Sequence, residues 1–183
     1  MTTIKEKYTN SLNKLNEFKK DFRVLNLEIS KDIKAASSSK NIDILVLYSE
    51  YNSPINESLL NGFLNSLQEK KYKGTTAMLK IPGGAFELPL LSSKLINKYK
   101  PKLCLVIGCI LKGDTQHYEF LSSSVINAIR NVSFNTNTMI LNGILTVENN
   151  KQAVDRAGKK YNKGSEYADA SIKILDFIKK FDV

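Results

Sequence analysis

The chain has a single histidine and two cysteines, and no Cys-x-x-Cys pair. A protein metal site would have almost no nitrogen or sulfur ligands to use, so no metal is expected. The cysteines, Cys104 and Cys109, stand at odd spacing in one apolar run. In a strand they point to opposite faces, which argues against a disulfide and fits two buried thiols in a reducing compartment. No apolar run approaches the length needed to span a bilayer. The N-terminal segment lacks the apolar core of a signal peptide, and Glu6, Glu17 and Asp21 are out of place in an acid-poor transit peptide. The expected location is cytoplasmic. The formal charge is +9, but the lysines are spread along the whole chain with no aromatic-interleaved basic stripe. A solvated lysine-rich surface is the expectation, with no nucleic acid and no membrane as partner. The same excess charge attracts phosphorylated small molecules.

What is present is one ordinary domain: 183 residues, 42% apolar, enough to bury a sizeable core. Residues 1–40 form a separate zone, an N-terminal extension expected to be partly helical. Ile4, Tyr8, Leu12, Leu15 and Phe18 lie at roughly helical spacing among lysines and acids. Val24, Leu25, Leu27 and Ile29 suit another short element, and Ala35 to Ser39 reads as a linker. Over residues 41–183 the pattern becomes repeated strand–helix units. Strands are expected at 42–48, 76–81, 103–109 and 139–146, and helices at 54–70, 88–99, 117–131, 150–161 and 165–181. Alternation of this kind predicts an α/β fold: a three-layer α/β/α sandwich on a flavodoxin-like, four-stranded parallel sheet.

The distinctive loops all follow strands, so they converge on the carboxyl edge of the sheet, where open α/β sheets bind ligands. After the first strand comes Ser49-Glu50-Tyr51-Asn52. After the second comes Pro82-Gly83-Gly84-Ala85-Phe86-Glu87-Leu88-Pro89, whose glycines let backbone approach a ligand closely. After the third comes Gly108-Cys109-Ile110-Leu111-Lys112-Gly113-Asp114-Thr115-Gln116-His117-Tyr118. This turn opens a helix, so its free N–H groups suit an anion, and it carries the lone histidine. After the fourth come Asn142-Gly143, then Gln152-Ala153-Val154-Asp155-Arg156-Ala157-Gly158 and Asn162-Lys163-Gly164.

These segments, in this order, resemble the lumazine synthase family. The family carries Gly-x-x-x-(Arg/Lys)-Gly-(Asp/Glu/Ala)-Thr-x-His-(Phe/Tyr), Pro-Gly-(Ala/Ser)-(Phe/Tyr/Trp)-Glu-(Ile/Leu)-Pro and Gln-Ala-x-x-Arg-(Ala/Ser)-Gly. The likeness spans roughly residues 42–181. It implies condensation of 5-amino-6-(D-ribitylamino)uracil with 3,4-dihydroxy-2-butanone 4-phosphate to 6,7-dimethyl-8-ribityllumazine, with no cofactor. His117 takes the family's proton-transfer position. Tyr51 stacks on the pyrimidinedione, beside Asn52. Backbone groups of Ala85, Phe86, Cys109, Ile110 and Leu111 meet the ring, and Glu87 accepts from ribityl hydroxyls. Gly113, Asp114, Thr115 and Arg156 hold the phosphate. Asn142 stands where the family often has Phe and would hydrogen-bond the substrate, and Lys163 is a further substrate contact. The family forms pentamers or multiples of them with active sites between neighbouring subunits, and the resemblance admits riboflavin synthase as a partner. The competing reading is a catalytically inactive flavodoxin-like protein that binds lumazine or flavin.

Overall fold

The computed structural model describes residues 22–26, 42–158 and 161–182. Its strands are β1 (Phe22–Asn26), β2 (Ile44–Ser49), β3 (Gly74–Ile81), β4 (Leu103–Leu111) and β5 (Met139–Val147). They pair in parallel in the order β1-β3-β2-β4-β5. The helices are α1 (Ser53–Glu69), α2 (Leu88–Tyr99), α3 (His117–Thr136), α4 (Asn150–Ala157) and α5 (Lys163–Phe181).

The expected α/β sandwich is present, but the sheet has five strands rather than four. The extra strand, β1, comes from the N-terminal extension and lies along β3, from Phe22 opposite Gly74 to Asn26 opposite Met78. Val24 and Leu25 are both buried, one in each core. Five residues carry too little alternation to announce a strand; a partner 52 positions away, β3, decides it. The helical spacing of Ile4 to Phe18 and the Ala35 to Ser39 linker lie outside the described residues.

The central strands carry the apolar content that burial on both faces demands. Every residue of β2 is buried, and β4 is buried from Leu103 to Ile110. Alternate residues supply two cores. Val46, Leu105 and Cys109 face a layer of α1, α4 and α5, with Leu59, Phe63, Ala153 and Ala168. Leu45, Leu47, Cys104 and Val106 face α2 and α3, with Leu88, Ile96, Val125 and Ile129. The two free thiols thus lie on opposite faces, as their spacing predicted.

Two helix ends differ from the expected ones by more than two residues. Helix α3 runs on to Thr136, because Val132 still packs against the core beyond Asn131. Helix α4 stops at Ala157, where Gly158 turns extended (φ −77, ψ 172) and the Ala157 carbonyl accepts from the Ser58 hydroxyl and the Asn162 amide.

The strand order places the site. From β2 the chain leaves by α1 over one face to reach β3; from β4 it leaves by α3 over the other face to reach β5. Adjacent strands β2 and β4 therefore send their connections apart, and a crevice opens between their carboxyl ends.

Candidate active site

A cleft of about 500 Å³ occupies that crevice. It is lined by Tyr51 and Asn52 after β2, Gly84, Ala85 and Phe86 after β3, Cys109, Ile110 and Leu111 at the end of β4, and His117 and Leu121 of α3. Tyr51 and Phe86 are 70% and 65% exposed as residues, so the walls offer aromatic surface to a ligand.

The turn after β2 is tied to its neighbours by backbone bonds. Glu50 N–H donates to the Ile81 carbonyl at 2.8 Å and Tyr51 N–H to the Gly83 carbonyl at 2.9 Å. Asn52 sits at φ 61, ψ 34, in the left-handed region, just before Pro54 in the first turn of α1. Its side-chain amide donates to the Cys109 carbonyl at 2.8 Å and so bridges the crevice.

The turn after β3 is closed by Glu87, whose Oε2 accepts from the Gly84 N–H at 2.7 Å. Gly83 has φ +93, and a Cβ there would run into the Glu87 carboxylate at 2.7 Å. The positive φ favours glycine at 83, whatever the Glu87 side chain could do to make room. Glu87 thus closes a one-turn 3₁₀ helix (Ala85–Glu87) ahead of α2 and does not line the cleft, whatever else its exposed carboxylate binds.

The turn after β4 is open. Gly113, Asp114, Thr115 and His117 are all exposed, and nothing lies within 4 Å of a Cβ built on Gly113. The Thr115 hydroxyl accepts from the His117 N–H at 3.4 Å, and no side chain caps the helix, so Asp114 is not its cap. Lys112 lies on the same turn with Nζ 3.8 Å from Glu119. This exposed turn opens a 20-residue helix, whose first-turn N–H groups suit an anion.

Cys109 is the nucleophile the cleft could have offered, and burial removes it. Its thiol is pushed up to about 11, so the thiolate is scarce near neutral pH. Among the described residues no group of three or more His, Cys, Asp or Glu is placed to hold a metal ion. That leaves a site able to stack a planar ring, hydrogen-bond its edge from backbone, hold an anion and move a proton through His117.

Three of the residues named from sequence stand apart from this cleft within one chain. Asn142 lies on β5, the last strand of the sheet, exposed, with its Oδ1 accepting from the Ile144 N–H at 3.1 Å. Arg156 is exposed in the last turn of α4, its guanidinium 3.3 Å from the Gln152 carbonyl. Lys163 opens α5 and pairs with Glu166 at 2.6 Å. Helices α4 and α5 pack on the α1 layer, the face opposite His117's helix.

The sequence reading passed over Leu121 as a cleft residue and Asn56 altogether. Leu121 was visible only as part of the apolar face of α3. Asn56 had a signal: a polar residue on the helix face that carries Leu59, Leu60 and Phe63.

A parallel α/β sandwich with its cleft at the switch point and a lone imidazole at the mouth defines a small-molecule-binding protein of flavodoxin-like architecture. The family model described as 6,7-dimethyl-8-ribityllumazine synthase matches residues 41–179. The chain belongs to that family, a transferase family of riboflavin biosynthesis. Among the described residues no helix is long and apolar enough to cross a membrane.

Proposed function

We propose that this chain condenses 5-amino-6-(D-ribitylamino)uracil with 3,4-dihydroxy-2-butanone 4-phosphate, releasing phosphate and water and forming 6,7-dimethyl-8-ribityllumazine. The observation that carries the reading is one cleft that gathers Tyr51, Asn52, Ala85, Phe86 and Cys109 to Leu111 with His117. The pyrimidinedione stacks on Tyr51 and takes backbone hydrogen bonds from the β3 and β4 ends. The phosphate sits on the Gly113, Asp114 and Thr115 turn at the start of α3. Glu87 meets the ribityl chain from the rim.

The chemistry suits these groups. The substrate's own amine attacks the ketone, so the enzyme needs no nucleophile. Water leaves to give the imine, phosphate is eliminated, and the second nitrogen adds to the remaining carbonyl, which loses a second water as the ring closes. Each step moves protons at nitrogen or carbon, which His117 serves as acid and base. Holding two substrates in one cleft supplies much of the remaining acceleration. The neutral Cys109 thiol keeps a competing nucleophile away from the carbonyl.

Asn142, Arg156 and Lys163 join the site from a second copy of the chain. Arginine is the planar, bidentate partner a phosphate requires, and Arg156 is exposed and held only by its own helix carbonyl. The assembly is a homopentamer or a multiple of one. The enzyme works in the cytosol, with the catalytic domain beginning at about residue 41, and riboflavin synthase, which consumes the product, is a partner.

Mixing the protein with both substrates and following lumazine absorbance tests the reaction directly. Tight binding of lumazine without turnover would support the inactive binding protein instead.

A further inference from the structure

Asn56 lies in the first turns of α1 and is fully buried. Its side-chain nitrogen is 2.9 Å from the Ser49 carbonyl, 2.9 Å from the Ser49 hydroxyl and 2.8 Å from the Tyr51 carbonyl. Two carbonyls around one end of the amide fix which atom is the nitrogen, since only N–H can donate to them. The other end, Oδ1, is buried with no hydrogen-bond partner. An orphaned carbonyl oxygen in a core is a penalty that an apolar side chain of the same shape would avoid. Packing alone therefore does not account for an asparagine at this position. What it contributes is two donors, and both are spent on one turn.

That turn carries the cleft wall. The Ser49 hydroxyl adds a bond to the Tyr51 carbonyl at 3.3 Å. Tyr51 is thus held through its carbonyl from below by Asn56 and through its N–H from the side by Gly83. Its ring remains free to meet a ligand. The same turn sets Asn52 in its left-handed conformation, and Asn52 reaches across to the Cys109 carbonyl. A non-glycine residue persists there only when its surroundings hold it. Asn56 supplies part of that hold, together with the Asn52 carbonyl that accepts from the Asn56 N–H at 3.2 Å.

We propose that Asn56 is a positioning residue for the pyrimidine half of the site. Its buried amide fixes the Ser49–Asn52 turn, so that the Tyr51 ring and the Asn52–Cys109 bridge are preset for a planar heterocycle that Asn56 itself never touches. The assignment rests on the function proposed above, and its test separates the two.

The chain has no tryptophan, so Tyr51→Trp creates a single fluorescent reporter on the wall. Time-resolved anisotropy of that reporter is compared in three backgrounds: Asn56→Thr, Asn56→Leu, and Leu67→Ala, a cavity made at the far end of the same helix. Both Asn56 variants should raise the amplitude of local nanosecond motion, while Leu67→Ala lowers the melting temperature and leaves the reporter as it was. This readout does not depend on turnover, so an absence of lumazine formation would overturn the enzymatic reading alone. With Tyr51 restored, Asn56→Leu should raise KM for the pyrimidine by about tenfold or more, because preset geometry is lost. KM for the butanone phosphate should stay within about twofold, and Asn56→Thr, whose hydroxyl still offers one donor, should recover part. The proposal is overturned if the reporter moves no more than in Leu67→Ala, or if both KM values rise together. Should Asn56→Leu fail to fold, Asn56→Thr carries both measurements.

Discussion

The residues assigned to the site from sequence fall into two groups, which this fold treats differently. The turns after β2, β3 and β4 converge, and one chain assembles Tyr51, Phe86, Cys109 and His117 around a cleft. The β5–α4–α5 edge carries Asn142, Arg156 and Lys163, none of which lines that cleft. Yet the second region is built no less firmly than the first. Asn162 donates to the Ser58 carbonyl at 3.0 Å and to the Ala157 carbonyl at 2.7 Å, and accepts from the Gly164 N–H at 2.8 Å. A Cβ on Gly62 would collide with that amide, and one on Gly164 with the Leu59 carbonyl. So a closely packed crossing of α1 and α5, with an asparagine as its clamp, fixes the junction that lies between Arg156 and Lys163. The proposed function gives that firm placement a use, since it sets Asn142, Arg156 and Lys163 for the cleft of a neighbouring copy. Under the proposed function, one half of the site is kept within the chain and the other half is given to a neighbouring copy.

The largest effect should come from the half that is kept. His117→Ala should lower kcat by ~10²–10⁴-fold while assembly, followed by sedimentation, is unchanged. A loss well under about tenfold would mean that solvent or another group moves the protons. Next comes the half that is given away. Arg156→Ala should raise KM for the phosphorylated substrate by tens of fold, roughly what losing a charge-assisted bond implies, with KM for the pyrimidine changing far less. Arg156→Lys should recover only part of the loss, because a point charge replaces a planar fork. Equal weakening of both substrates would show that Arg156 holds the interface rather than the phosphate.

Mixing the two variants addresses the division itself. Neither His117→Ala nor Arg156→Ala alone is expected to be efficient, but a co-expressed one-to-one mixture should regain roughly a quarter of native sites, those where an intact His117 meets an intact Arg156 from its neighbour. No gain over the separate variants would place both residues in one copy and end the comparison drawn above.

A smaller effect concerns stability. Removing residues through 21 should leave the sheet intact, whereas removing residues through 26 deletes β1 and with it the buried Val24 and Leu25. That loss is expected to lower unfolding free energy by about 1.5–3 kcal/mol for each side chain, read by urea denaturation. The mildest prediction concerns alkali. Burial lifts the Cys109 thiol from 9.0 to about 11, and burial, aided by the Glu166 charge, lifts the Tyr167 hydroxyl from 10.0 to about 12. Below pH 9.0 both groups carry their protons in the folded and unfolded chain alike. Above it the unfolded chain loses protons first, so stability should fall as pH climbs from there through about 12. A urea midpoint that stays flat over that window would mean both groups are wetter than their packing suggests.

Much of this was legible in the sequence because the signals were local. The run Leu103–Ile110 is apolar at every position but Gly108, and only a strand covered on both faces tolerates that. The glycine pair at 83 and 84 announced a turn that backbone alone could fill. His117 stood out by being the only imidazole. The β1 strand was hidden, since its identity depends on an edge of β3 that is remote in the chain. Asn56 was hidden for a similar reason: its partners, Ser49 and Tyr51, become neighbours only when α1 folds back beneath the turn that precedes it.

By itself, then, the sequence determined the alternation of strands and helices, the turns that follow the strands and the lone imidazole among them, since each follows from periodicity or from side-chain type at short range. Only the tertiary structure decided how many strands the sheet has, which side of it each helix covers, and that the helices carrying Arg156 and His117 lie on opposite faces. Those outcomes depend on which strand pairs with which. Placing β2 between β3 and β4 sends α1 and α3 to opposite faces, and the short path from β5 back to the α1 layer carries Arg156 with it.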